Sequence, residues 1–354
     1  MILKNGTIFG VLNPSNQEQN LKFIKANQMK RLFIALFTIS LLTSCGNDEI
    51  ILPKSVGNFG KVLVVIDNSK WQGDLGKEIR QTFGKLQVGL PQPEKTLSTS
   101  QVAPRGFSSM FKTTRNVFIL ELADSTGIKT IYNRFSRPQT VVYASAPNEE
   151  ALLNLVKERG NEVVETFRAS DIRFLQNIFV TKRLDDSQYK TFQNLNISLT
   201  IPEEFRTVDD TGEFLWIRQH LKSGIARGAG NNNILVYSLP LQDDQSIMDG
   251  IIPMRDAIGE KYIPGAKEGM YMITEAAYTP YTIETKIKDN KVFETRGKWE
   301  VKNDFMAGPF LNYAIVDEKN DRLLVVEGFT YAPSVDKKNF VLELEAIAKS
   351  IVIN

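Results

Sequence analysis

Residues 61–71 read Lys61-Val-Leu-Val-Val-Ile66-Asp67-Asn-Ser69-Lys-Trp71, and they decide how the first half of the chain folds. Val62 to Ile66 is a continuous apolar run without alternation, too short for a helix and typical of a strand buried on both faces. Asp67-Asn-Ser69 turns the chain. Leu75, Ile79 and Phe83 then recur at helical spacing, which predicts an amphipathic helix from Gly73 to Phe83. Strand followed by helix is the repeating unit of an α/β layer.

Further along, Pro104 to Lys112 reads as a second helix, and Asn116 to Leu122 and Thr140 to Ala144 as strands. Pro147-Asn148-Glu149-Glu150 opens a long helix, with Asn148 at the N-cap and acids in the first turn. Asp185 to Lys190 is polar and aperiodic and marks a boundary, so residues 61–184 form an N-terminal α/β domain. Beyond it the pattern changes. Asn196 to Ile201 alternates, and Glu213 to Arg218, Ile234 to Leu239, Tyr271 to Thr274, Tyr281 to Ile287, Lys291 to Val301, Phe310 to Val316 and Arg322 to Ala332 read as strands. Gly228 to Asn233 and Glu318 to Asp321 have hairpin chemistry. Val335 to Ile351 is a closing helix with Phe340, Leu344, Ile347 and Ile351 on one face. Residues 191–354 are therefore expected to form a C-terminal α+β domain, a mainly antiparallel sheet with flanking helices; an α/β/α sandwich is one arrangement of those elements.

Toward the N-terminus, Lys30-Arg31, the apolar run Leu32 to Leu42 and Leu42-Thr43-Ser44-Cys45 form the three parts of a secretory signal. This eleven-residue apolar stretch, interrupted only by Thr38 and Ser40, falls well short of the ~20 residues needed to cross a bilayer. Residues 29–44 therefore read as a cleaved signal, 45–60 as a tether and 1–28 as an extension upstream of the true start at Met29, or as a long basic leader. The last four residues resemble the lipobox of bacterial lipoproteins, which makes Cys45 the expected lipidation site and lipid on it the expected membrane contact. Cys45 is the only cysteine in 354 residues, so an intramolecular disulfide and a cysteine-based metal site are excluded. With residues 1–44 removed, 38 basic residues face 40 acidic ones, a near-neutral balance without a basic run and no footprint for nucleic acid.

Two resemblances follow from quoted residues. Residues 61–71, with Arg296-Gly-Lys-Trp-Glu300 and Met306-Ala-Gly-Pro-Phe310, resemble an uncharacterised family of Bacteroidota lipoproteins, domain of unknown function 4837, across the mature chain. That resemblance implies an envelope location and no known activity; the anchored chain is expected at the outer membrane, on either its periplasmic or its surface face. The opening from Ile197 to Phe205 and the helix from Leu344 to Ile351 are similar to the first strand and last helix of PsbP/Mog1-like domains, which are non-catalytic.

The chemistry-bearing residues form no complete catalytic set. Asp67-Asn-Ser69 looks like the start of a von Willebrand A metal site, but Trp71 stands at the second serine position, so no metal is expected and the residues read as a helix-capping turn. His220, the only histidine, lies among Arg218, Gln219 and Lys222 and reads as a surface side chain. Gly228-x-Gly230 precedes a strand and lacks the helix that phosphate binding requires. Asp209-Asp210 and Asp243-Asp244 read as solvated pairs. The expected binding surface is Trp299, Glu300, Met306 and Phe310, with Trp71, because aromatic and flexible apolar groups are common at contacts; core packing of the large aromatics is the competing reading. No cofactor is expected. The function that follows is a lipid-anchored, non-catalytic envelope module that binds a protein or glycan partner or helps assemble an envelope complex. The alternative is an envelope hydrolase whose carboxylates meet only in the fold.

Overall fold

The computed structural model describes residues 51–221 and 230–354. Cys45, the expected signal, the start of the expected tether, Lys222 and Gly228 lie outside the described residues.

The first region contains β1 (Lys61–Val65), α1 (Asn68–Gln72), α2 (Asp74–Phe83), β2 (Ser98–Val102), α3 (Ser109–Lys112), β3 (Asn116–Leu122), β4 (Gly127–Tyr132), β5 (Thr140–Ala146) and α4 (Glu149–Thr181). Its sheet runs β2-β1-β3-β5-β4, parallel except for β4. Val62, Val64 and Ile66 pack with Phe118, Val142 and Ala144 beneath Leu75, Ile79 and Phe83 of α2 and Leu152, Val156 and Phe167 of α4. Asn148 caps α4 by accepting the Ala151 amide at 2.9 Å, as its sequence predicts. The helix predicted from Pro104 to Lys112 is instead a 3₁₀ turn, Pro104–Gly106, and the four residues of α3, because Gly106 weakens helix continuation. Strands β2 and β4 escape the sequence pattern because both are half-buried edge strands without regular alternation.

The second region contains α5 (Lys190–Leu195), β6 (Ile197–Ser198), β7 (Arg206–Asp210), β8 (Phe214–His220), β9 (Asn231–Pro240), α6 (Asp244–Tyr262), β10 (Met272–Thr274), β11 (Tyr281–Ile287), β12 (Asn290–Val301), β13 (Ala307–Asp317), β14 (Arg322–Tyr331), α7 (Lys338–Ala348) and β15 (Val352–Ile353). Eight strands form a curled antiparallel sheet in the order β10-β12-β13-β14-β9-β8-β7, with β11 also paired to β12. The strand expected from Asn196 to Ile201 shrinks to β6, paired with β15, while Leu199 and Ile201 still enter the core. Helix α6 was not legible as an element: Gly250, Pro253 and Gly259 weaken its local signal, and burial of Ile247 and Ile251 against the sheet stabilises it.

Helix α4 belongs to both regions. Its first half lies over the parallel sheet, whereas Ile172, Leu175 and Phe179 join the core of the antiparallel sheet with Leu215, Val236, Tyr313, Leu344 and Ile347. Glu94 strengthens the junction by accepting the backbone amides of Lys337 at 2.7 Å and Lys338 at 3.0 Å, capping α7 from the other region. Leu52–Asn354 accordingly forms one compact unit.

Candidate functional site

Arg296 and Glu294 share one face of β12, because residues two apart on a strand point the same way. That face meets the middle of α4, which presents Arg168, and the inner face of α7, which presents Glu345. Glu345 is fully buried and accepts from Arg296 Nη2 at 2.8 Å, Arg168 Nη2 at 2.8 Å and Lys349 Nζ at 2.6 Å. Burial opposes its charge, but the three cations outweigh burial and hold the carboxyl well below the usual carboxylate range. Arg296 also donates Nε to Glu294 at 2.6 Å, while its Nη1 has no partner among the described residues.

These arginines form the floor of a cleft of about 350 Å³ between the two sheets. Its walls come from the loop after α2 (Lys85 to Val88), from Asn161, Val164 and Glu165 on α4, and from Tyr281 and Ile283 on β11. Four large apolar side chains stand exposed around it: Leu86 is 58% exposed, Tyr281 54%, Val88 40% and Ile283 39%. Exposed apolar groups gathered around a concave site are a common feature of binding surfaces. Strand β11 is an edge, so its outer backbone groups are open to a partner strand. The cleft's two carboxylates are each bonded to an arginine, Glu294 to Arg296 and Glu165 to Arg168 at 3.4 Å, so they do not form a facing acid/base pair.

The expected binding residues lie elsewhere and are not all available. Trp299 is 2% exposed and Phe310 1%, so both are core side chains: Trp299 packs edge-on against Phe329 and donates its indole N–H to the Thr330 carbonyl at 3.3 Å, and Phe310 lies under the Arg255 guanidinium at 3.9 Å. Their burial follows from strand alternation on a sheet that α6 covers on that side. Glu300 and Met306 are half-buried, and the exposed aromatic of this hairpin is Phe305. Trp71 is half-buried in the separate core of the parallel sheet, under Arg80 at 4.6 Å.

The other candidates take structural roles. Asp67 stands at the N-cap of α1 but makes no capping bond and pairs instead with Lys70 at 2.8 Å. Asp210 accepts the amides of Lys190 and Thr191 at the start of α5, and Asp243 caps α6 by accepting the Ser246 amide at 3.0 Å. Asp244 pairs with Lys291. His220 is exposed at the end of β8. Among the described residues no cluster of His, Cys, Asp or Glu could hold a metal, and no helix is long and apolar enough to cross a membrane. Sequence reasoning missed the cleft: Arg296 was visible only as part of a strand motif, and nothing local pairs it with Arg168 or Glu345.

Comparison with curated proteins gives no match. Among solved structures, LpqN of Mycobacterium tuberculosis, described as involved in cell envelope biogenesis, aligns with a TM-score of 0.29 and 13% identity over 45% of this chain and 83% of that one. The resemblance to domain 4837, expected across the mature chain, covers only its second region. Residues 55–180 match one domain of unknown function, DUF8532, and residues 184–350 match another, DUF4837.

Proposed function

We propose that this chain is a lipid-anchored cell-envelope module, held in the outer membrane through Cys45, that binds a protein or glycan partner in the cleft between its two sheets. The observation that carries the reading is the set of exposed apolar side chains around that cleft, Leu86, Val88, Tyr281 and Ile283, above an arginine floor. A folded protein ordinarily buries such a group of side chains, and their exposure at a concave site is consistent with an occupant. The open edge of β11 favours a protein partner, which could add a strand there.

The test is site-specific photocrosslinking in intact cells. A crosslinker at Tyr281 or Leu86 is expected to trap one defined adduct, absent with a crosslinker at Met248 on the far side of the antiparallel sheet and lost in Cys45→Ala. Indistinguishable adducts from Tyr281 and Met248 would remove the cleft as the binding site, and sedimentation of Cys45→Ala with membranes to the wild-type extent would remove the lipid anchor.

A further inference from the structure

Predominantly parallel sheets are normally covered on both faces, yet in the first region helices cover only one. The second face carries Val65, Val117 and Val141 in a thin apolar layer, with Val102, Phe107, Ile119, Phe135 and Tyr143 only partly buried. In place of a helix layer it has the 3₁₀ turn, the four residues of α3 and the edge-to-face pair of Phe107 and Phe135, rings 5.7 Å apart. Met110 on α3 is 69% exposed.

The charge on this side is predominantly basic. Residues 95–120 and 125–148 contain no acid. Lys112 Nζ lies 5.4 Å and the Arg134 guanidinium 5.7 Å from the Phe135 ring, Lys129 stands opposite Tyr143 on the same face, and Arg105 and Arg137 are exposed two positions along the chain from Phe107 and Phe135. None of these, nor Lys54, makes an ion pair among the described residues. Of the acids of the sheet, Glu121 alternates with Val117 and Ile119 and so shares this face, but it stands, like Asp67 and Asp124, at or beyond the carboxyl ends of β1 and β3, the margin away from Lys112, Arg134 and Arg137.

The chain also enters here. Lys54 bridges to Arg137 and Val56 to Thr114, with the Arg137 amide donating to the Pro53 carbonyl at 2.8 Å. Cys45 is eight residues before Pro53, a reach of about 28 Å at full extension. A lipid on Cys45 therefore keeps this corner of the molecule, more than any other, close to a bilayer.

We infer that the second face of the parallel sheet, with its basic corner around Phe107 and Phe135, is a membrane-contact surface for anionic phospholipid headgroups. The basic side chains meet headgroup phosphates, and Met110 with the half-buried aromatics reaches the interfacial region, where amphipathic rings are favoured. Contact of this kind orients the cleft relative to the bilayer. The inference rests on the anchored reading for the side that faces the membrane, while the surface chemistry stands on its own residues.

The experiment is vesicle co-sedimentation of full-length Cys45→Ala, which cannot be acylated, with phosphatidylcholine vesicles containing or lacking phosphatidylglycerol. The apolar segment Leu32 to Leu42 contributes equally to both, so the difference reads headgroup charge. A fourfold variant, Arg105→Glu, Lys129→Glu, Arg134→Glu and Arg137→Glu, changes exposed residues of the face; a control with the same net charge carries Lys157→Glu, Lys261→Glu, Lys267→Glu and Lys319→Glu. Circular dichroism checks that both fold. Binding to the anionic vesicles is expected to exceed binding to neutral ones, to weaken with salt, and to fall roughly tenfold or more in the face variant but not in the control. Equal loss in both variants, or no preference for anionic vesicles in the parent, would overturn the proposal, the latter pointing to an acidic protein on this face. Acylation is read separately from the mass of the wild-type protein, so failure of the anchor and failure of the surface are distinguishable.

Discussion

Glu343 and Glu345 lie two residues apart on α7 and respond to their surroundings in opposite directions. Burial, with the Glu204 carboxylate adding to it, pushes the Glu343 carboxyl up to about 7 against a hydrogen bond from Gln219. The folded protein thus keeps a proton there that the unfolded chain has already released, so stability falls as pH rises from about 4.5 to about 7. Glu343→Gln should abolish that slope, match the wild type below pH 5 and exceed it at pH 8 by about 1–3 kcal/mol, measured by urea unfolding across the range. Glu345 has the reverse sign. Its carboxyl is held below the ordinary range, so its contribution is complete at neutral pH and is lost only as acid titrates the folded state. Glu345→Gln strands Arg168 and Arg296 without their shared anion and should cost about 3 kcal/mol at pH 7; a loss below 1 kcal/mol would mean the arginines re-pair within the cleft.

At the scale of the element, α6 shows how packing can reverse a propensity. In an exposed helix interior, Gly→Ala stabilises by about 0.5–1 kcal/mol. At Gly250 an added Cβ would meet only the mobile end of Met254, at 3.0 Å, and Gly250→Ala should raise Tm. At Gly259 the same Cβ would lie 2.0 Å from the Met272 carbonyl oxygen, where α6 crosses β10. Gly259→Ala should therefore destabilise by about 1–3 kcal/mol. Differential scanning calorimetry of the two single variants decides the matter, and two shifts of the same sign would show that α6 does not press on β10. The same crossing explains why the helix is hard to read: the residue that permits its tertiary contact is one that lowers its helical propensity.

For the whole molecule, α4 is the decisive part. A helix of 33 residues spans about 50 Å, and it contributes to the cores of both sheets, so the two regions cannot separate without exposing Ile172, Leu175 and Phe179. A single cooperative transition is expected. Trp71 reports on the parallel sheet and Trp216 and Trp299 on the antiparallel one, so variants keeping one set or the other should give the same urea midpoint. Separated midpoints would show that the Glu94 cap and the shared helix do not couple the two halves.

The order of elements along most of the chain was determined locally. The unbroken run at Val62 to Ile66, the capping pattern at Asn148 and the alternation along β12 and β14 each carry their meaning within a few neighbouring residues. What lay beyond local reading was which side of each strand would be covered. Trp299 and Phe310 look like contact residues until α6 closes over them, and α6 itself exists through tertiary burial. Arg168 and Glu345 lie 128 and 49 positions from Arg296, and no periodicity links the three. The cleft and the uncovered basic face are products of how layers stack, because a strand's sequence fixes its two faces but only the elements packed beside it decide which face is left to solvent.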